Sequence, residues 1–243
     1  MINKYLNICM LSAAIALALA ACSSPSGNNQ NSITSNNGNA YSSTTDDKDL
    51  IHLVKAEDII ISAPAAADSD VYTSLTVQAG KLSKTFPWKN VTNPTYQPTV
   101  HIADVDGDNQ NEIIIILTSG YGTGVNEQEI HVLNKEDLSE LAFENPLQVI
   151  EKEITSQIIH NEDQIKVMVE TTGKKVERTY SESDAVMWNE EVAFESMISY
   201  SVTDNVITAT VPGSVSPALF AVYAKLEYDS SLKVKTINIE PIL

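Results

Sequence analysis

The stretch from His101 to Leu117, which reads HIADVDGDNQNEIIIIL, constrains the fold most because it joins alternating acidic residues directly to a run of isoleucines. Asp104, Asp106 and Asp108 occupy every second position of its acidic part. Closely spaced carboxylates in a short loop are the ligands that hard cations such as Ca²⁺ prefer. The sequence therefore predicts a metal-binding loop that leads straight into a β-strand.

The acidic loop, residues 104–112, has a predicted set of five oxygen ligands. Four are side-chain carboxylates and one, at the seventh position, is a backbone carbonyl; they belong to Asp104, Asp106, Asp108, Gln110 and Glu112. Calcium is preferred to magnesium because the loop offers many oxygens in a flexible geometry, and its predicted role is structural. The alternative is a metal-free acidic turn, since Asp, Gly and Asn are common turn residues. Repulsion among carboxylates so close together favours the metal.

An EF-hand is excluded because its twelfth loop position needs a Glu and a helix must follow, whereas this chain has Ile115 in a strand-like run. The pattern D-x-D-G-D-x-x-x-E before a β-branched strand instead resembles the calcium loops of FG-GAP and VCBS repeats, familiar from integrin-type β-propellers. The residues that carry this resemblance are Asp104, Asp106, Gly107, Asp108, Glu112 and Ile113. Those loops usually have Gly where this chain has Asn109. A single copy of the pattern argues against a whole propeller.

The first 22 residues, MINKYLNICMLSAAIALALAAC, have the features of an export signal. Lys4 provides a positive charge, and the apolar segment after it is too short for a comfortable membrane span. The run Leu19-Ala20-Ala21-Cys22 resembles the lipobox of bacterial lipoproteins. That resemblance implies a signal peptide over residues 1–21, lipidation of Cys22, and a lipid anchor in the bacterial cell membrane on its extracytoplasmic face. The alternative is an ordinary secretory signal with a chance cysteine.

Residues 22–48 are rich in Ser, Asn, Thr and Gly and contain almost no apolar side chains. Such a segment cannot bury enough apolar surface to offset its loss of conformational entropy, which predicts a flexible tether. A single folded domain is predicted over residues 49–243. The only cysteines are Cys9 and Cys22, so this domain has neither a disulfide nor a thiol nucleophile.

Short apolar runs between turn residues predict a mainly β domain with antiparallel sheets, hairpins and one or two short helices; an α+β fold is the alternative. Segment 118–126, which is rich in glycine, is predicted to be the loop of a hairpin between Ile113–Leu117 and Gln128–Leu133. A phosphate-binding loop is the competing interpretation, but it requires a following helix. Helices are predicted at Lys135–Leu141 and Asn145–Glu151. Further strands are predicted at Ile59–Ile61, Ile154–His160, Gln164–Val169, Val176–Tyr180, Val192–Val202, Val206–Val211, Phe220–Tyr228 and Val234–Ile239.

The charge of the chain limits its partners. With 32 acidic and 15 basic residues, the formal net charge is -17, which argues against a nucleic-acid or anionic-membrane partner. The catalytic motifs H-E-x-x-H and G-x-S-x-G are absent, and the four histidines are dispersed at His52, His101, His131 and His160. His101 and His131 are predicted to flank neighbouring strands, where the role of an ordinary strand histidine is the simpler interpretation.

Three functions remain open from the sequence, the third being an envelope sensor that uses calcium as its signal and changes conformation on binding. The first is a non-enzymatic binding or interaction module at the cell envelope, with a calcium-braced loop and an unidentified protein or glycan ligand. The second is a hydrolase acting on envelope or extracellular material, with its site near the acidic loop. A groove-like surface with exposed Tyr and Trp would favour the first function. A cleft with converging carboxylates or a His–carboxylate pair would favour the second.

Overall fold

Strands make up most of the chain in the computed structural model, which describes residues 50–66, 69–122, 125–195 and 197–242. The fold is mainly β, with antiparallel pairing between strands and one short α-helix, as predicted. All the described residues belong to one compact unit, residues 45–243. The predicted signal peptide, Cys22 and the predicted tether lie outside the described residues.

Two antiparallel sheets and a small bridge form the N-terminal half. The first sheet consists, in spatial order, of β1 (Leu50–Ala56), β2 (Ile59–Pro64), β4 (Leu75–Ala79) and β5 (Leu82–Phe86). The bridge pairs β3 (Val71–Tyr72) with β6 (Asn90–Val91), and a 3₁₀ turn follows at Pro94–Tyr96. The second sheet consists of β7 (Thr99–Ala103), β8 (Glu112–Gly122) and β9 (Val125–Asn134), with β8 in the centre.

The C-terminal half begins with the helix α1 (Pro146–Glu153). The third sheet consists of β10 (Thr155–Asn161), β11 (Gln164–Thr171) and β12 (Lys174–Ser181), followed by a 3₁₀ turn at Glu182–Asp184. The fourth sheet contains β13 (Ala193–Phe194), β14 (Ser199–Thr203), β15 (Val206–Ser216), β16 (Leu219–Tyr228) and β17 (Val234–Pro241). β15 pairs with β13, β14 and β16, and β17 is the next strand beyond β16. Among the described residues, no helix has the length and apolarity needed to cross a membrane.

Strand β8 is buried on both faces, which explains its unbroken isoleucine run. Successive side chains of a strand point to opposite faces. Ile113, Ile115 and Leu117 pack in the same hydrophobic cluster as the first sheet. Ile114 and Ile116 pack in the cluster that contains the fourth sheet. The second sheet is therefore a middle layer, and a strand in such a layer needs apolar residues at every position.

A third hydrophobic cluster joins the third sheet to the fourth. Ile165, Val167 and Val169 of β11 alternate along the strand and are all buried. They pack in one cluster with Val222 of β16 and Ile239 of β17. The predicted strands in this region are confirmed, because period-two alternation of apolar residues is the pattern of a strand with one buried face.

The predicted hairpin around the glycine-rich segment is confirmed, with Ile113 opposite Leu133. Its loop is shorter than predicted, because β8 continues to Gly122 and β9 begins at Val125. A strand and not a helix follows the glycines, so the helix N-terminus that a phosphate-binding loop requires is missing at this place.

One of the two predicted helices is confirmed and the other is wrong. The helix predicted at Asn145–Glu151 is α1, and the Asn145 side chain accepts a hydrogen bond from the Leu147 N–H at 2.9 Å, as an N-cap residue does. The segment Lys135–Leu141 forms a turn instead. Leu138 adopts a left-handed φ of 56° and its side chain is 1% exposed. Burial of this leucine in the core outweighs the helix propensity of the segment.

The strand predicted at Val192–Val202 is interrupted. Its two ends form β13 and β14, which pair with different parts of β15. At the β13 pairing, a Cβ on Gly213 would lie 2.8 Å from the ring of Phe194 and 2.7 Å from Val192. The glycine thus permits a close approach of Phe194.

Candidate functional site

The acidic loop connects β7 to β8, which are neighbouring strands with Ala103 opposite Glu112. Because the sheet holds both ends of the loop, the chain must reverse its direction within a few residues. Gly107 and Asn109 have φ values of 80° and 68°, in the left-handed region that Gly and Asn tolerate best. Asn109 therefore takes a conformation that a Gly would also take, although it departs from the pattern of the resembling loops.

Three carboxylates of the acidic loop converge. One oxygen from each of Asp104, Asp106 and Asp108 lies within 4.8 Å of the other two. Asp104 and Asp106 are half-buried, and Asp108 is exposed. In the described ranges, no Lys or Arg forms an ion pair with them. This group could hold a metal ion, because its negative charge is not neutralised by a basic side chain.

Backbone amides of the loop orient these carboxylates. The two oxygens of Asp104 accept hydrogen bonds from the N–H groups of Gly107 at 2.7 Å and Asn109 at 3.1 Å. Asp108 accepts from the N–H of Gln110 at 2.7 Å and from its side-chain amide at 3.3 Å. A carboxylate oxygen has more than one lone pair, so these bonds leave acceptor capacity for a cation. Gln110, the predicted carbonyl ligand, is exposed.

Glu112 lies outside the group of three and joins the loop to the sheet. It is 2% exposed, and its Oε2 accepts hydrogen bonds from the N–H groups of Val105 at 2.9 Å and Asp106 at 3.4 Å. Burial raises the pKa of the Glu112 carboxyl above its ordinary value, the negative charges of Asp106 and Asp108 add to the rise, and the two backbone hydrogen bonds oppose it. A cation bound at the loop would favour the charged form of Glu112.

A second feature, which sequence reasoning did not identify, is a groove beside the outer edge of β9. Its volume is about 610 Å³. The residues that line this β9 groove are Gln128, Glu129, Ile130, His131, Val132, Glu140, Leu141, Ala142, Phe143, Asn145, Pro146, Ile198 and Tyr200. The spacing of Glu129 and His131 places both on one face of a strand. Residues 140–146 can line this groove because the segment Lys135–Leu141, which was predicted to be a helix, forms a turn.

His131 is held rigidly at this groove. Its Nδ1 lies 2.6 Å from the Oε1 of Glu140, and its Nε2 lies 3.9 Å from the Oε2 of Glu129. The imidazole ring stacks on Trp88 with 3.9 Å between ring centroids, and Trp88 stacks in turn on Phe86 at 3.9 Å. The ring orientation is therefore set by packing as well as by hydrogen bonding.

His101 and His131 flank β8 on its two sides, but they lie on opposite faces of the sheet. His101 is opposite Ile114, and His131 is opposite Ile115. Directly opposed residues share a face, whereas consecutive residues do not. The two histidines therefore do not form one site.

No protein-family model, curated protein or solved structure matches the chain. Converging carboxylates point to a hard cation at the acidic loop.

Proposed function

We propose that the protein is a non-enzymatic binding module of the bacterial cell envelope whose acidic loop is braced by calcium. The observation that carries the proposal is the convergence of Asp104, Asp106 and Asp108 without a basic partner among the described residues. Ca²⁺ accepts carboxylate oxygens in a flexible arrangement, whereas Mg²⁺ demands an octahedral site and keeps its own water. A structural role suits this position, because the loop joins two strands of the middle sheet.

The bound ion would act on folding rather than on chemistry. It would offset the repulsion among the three aspartates and the free-energy cost of burying the negative charge of Glu112. The carbonyl of Gln110 and the carboxylate of Glu112 are the further ligands of the proposal. By holding the loop, the ion would also hold the start of β8, the strand on which both hydrophobic clusters of the middle sheet depend.

Calorimetric titration of the purified full-length protein with Ca²⁺ and Mg²⁺ tests this proposal. We expect Ca²⁺ to bind more tightly than Mg²⁺, and Asp106→Ala to abolish the calcium heat. At a concentration 100 times the dissociation constant, calcium should stabilise the wild type by about 2.7 kcal/mol. Asp70→Ala, which removes an exposed carboxylate elsewhere, is the matched control and should bind like the wild type. Absence of calcium binding by the wild type would reduce the loop to an acidic turn.

The proposed location rests on the resemblance of the segment ending at Cys22 to a lipobox. A diacylated cysteine provides two chains, and each buried CH₂ contributes about 0.8 kcal/mol to membrane binding. We expect the wild type to fractionate with bacterial membranes and Cys22→Ala to appear in the soluble or secreted fraction. Retention of Cys22→Ala at the membrane after high-salt washing would contradict the lipid anchor.

A hydrolase is the second candidate, and the His131–Glu140 pair is the observation that favours it. A carboxylate beside an imidazole can orient it as a general base. No Ser, Thr or Cys lines the β9 groove in the described chain, so His131 would have to activate a water molecule. An esterase, peptidase or glycosidase activity that His131→Gln removes would favour this candidate over the binding module.

A further inference from the structure

The outer edge of β9 is paired with later residues at two points, and between these points the described residues form no further main-chain hydrogen bond to it. The N–H of Gln128 donates to the carbonyl of Ile198 at 3.1 Å. Further along, the N–H of Leu141 donates to the carbonyl of Val132 at 2.8 Å. In an antiparallel pair, the main-chain groups of alternate residues point to opposite sides of the strand. The N–H and C=O of Ile130, midway between these two points, therefore point away from β8 and towards the β9 groove.

These two groups of Ile130 have no hydrogen-bond partner within the described ranges. One donor and one acceptor on the same residue match the pair of bonds that opposed residues exchange in an antiparallel ladder. The edge between the two paired residues, Gln128 and Val132, spans about 13 Å at roughly 3.3 Å per residue. That length accommodates a short extended segment of another chain.

The rim of the β9 groove is acidic. Glu129 and Glu140 line it with 49% and 42% of their side chains exposed. Among the described residues that line the groove, none is a Lys or an Arg. Leu141 and Phe143 provide apolar surface in the same groove. The chemistry that complements this lining is a main chain in extended conformation with a basic side chain and an apolar neighbour.

We propose that the β9 groove binds an extended segment of a partner protein, which adds to β9 at Ile130 and places a Lys or Arg side chain against Glu129 and Glu140. This inference rests on the proposed function as a binding module and names its partner class. Main-chain bonds in strand addition provide affinity, and charge-assisted hydrogen bonds to carboxylates provide selectivity. A second copy of this chain fits the groove poorly, because two chains of net charge -17 repel each other.

Fluorescence anisotropy with labelled peptides tests the proposal on the purified full-length protein. The probe is acetyl-Thr-Val-Lys-Val-amide, whose four residues match this length, and its counterpart carries Glu in place of Lys. We expect the Lys probe to bind about tenfold more tightly than the Glu probe, the gain of one charge-assisted hydrogen bond. A third probe, N-methylated at its three central amides, should lose binding because it cannot donate to β9. Equal affinity of the Lys and Glu probes, or full binding of the methylated probe, would overturn the proposal.

Variants locate the contact. Glu129→Gln removes a carboxylate that is half exposed and should weaken the Lys probe about tenfold. Glu190→Gln makes the same charge change at an exposed position that does not line the groove, and it should bind the probe like the wild type. Equal losses in the two variants would indicate a diffuse effect of net charge and overturn the assignment of the groove.

The calcium titration separates this inference from the proposed function. Protein that binds calcium at the acidic loop but neither Lys nor Glu probe would overturn the groove assignment and leave the loop assignment standing. Protein that binds the Lys probe through Glu129 but shows no calcium binding would overturn the calcium loop and leave the groove standing.

Discussion

Ile115→Ala is expected to lower the free energy of unfolding by about 2–5 kcal/mol, because it deletes most of a buried isoleucine and leaves a cavity between two layers. Ile114→Ala is expected to cost about as much. Both side chains are 0% exposed, and they lie on opposite faces of β8 in two different hydrophobic clusters. Urea unfolding followed by circular dichroism measures both losses.

Ile51→Ala is the matched control for this pair. Ile51 lies on β1 and is 44% exposed, so its loss should stay within about 0.5 kcal/mol. If Ile115→Ala lost much of its free energy of unfolding while Ile114→Ala lost as little as Ile51→Ala, the burial of β8 on both faces would be contradicted. The second sheet would then have one face in solvent and could not be the middle layer.

Glu112→Ala is expected to destabilise the calcium-free protein by about 1–3 kcal/mol, the cost of leaving a buried donor without an acceptor. The donor is the N–H of Val105, whose side chain is 5% exposed. Glu112→Gln retains a side-chain oxygen that can accept this hydrogen bond, so it should destabilise less than Glu112→Ala. Both variants should weaken calcium binding, because both remove a proposed ligand charge.

The pH dependence of the calcium-free protein isolates the charge of Glu112. Burial raises the pKa of this carboxyl above its ordinary value of 4.5, so the folded protein holds the proton more tightly than the unfolded chain does. The contribution of Glu112 to stability is therefore complete below pH 4.5 and is lost as the pH rises through the folded-state pKa. The Gln side chain in the Glu112→Gln variant has no proton to lose over this pH range. The wild type should lose stability relative to this variant as the pH rises above 4.5, whereas parallel stability curves in EDTA would contradict the assignment.

Local sequence patterns were sufficient for most of the strands and for the acidic loop. Alternation along Ile165, Val167 and Val169 identified β11 because side chains of a strand alternate wherever one face is buried. The run Ile113–Leu117 identified the first part of β8 for a related reason, namely that every residue of this run is apolar. The candidate ligands of the acidic loop fall within nine consecutive residues, so their proximity follows from the chain itself. The α1 start at Asn145 is local as well, since the cap and the helix are adjacent.

The tertiary structure decided the features that depend on contacts between distant segments. The turn at Leu138 replaces a predicted helix, because burial of that side chain in the first cluster outweighs local propensity. The layer order of the sheets, and with it the burial of both faces of β8, depends on how the first and fourth sheets dock. The β9 groove has the same origin. Residues 139–141 and 198–200 approach the outer edge of β9 from later parts of the chain. The place where the described residues leave the main-chain groups of Ile130 without a partner follows from that packing rather than from any local pattern.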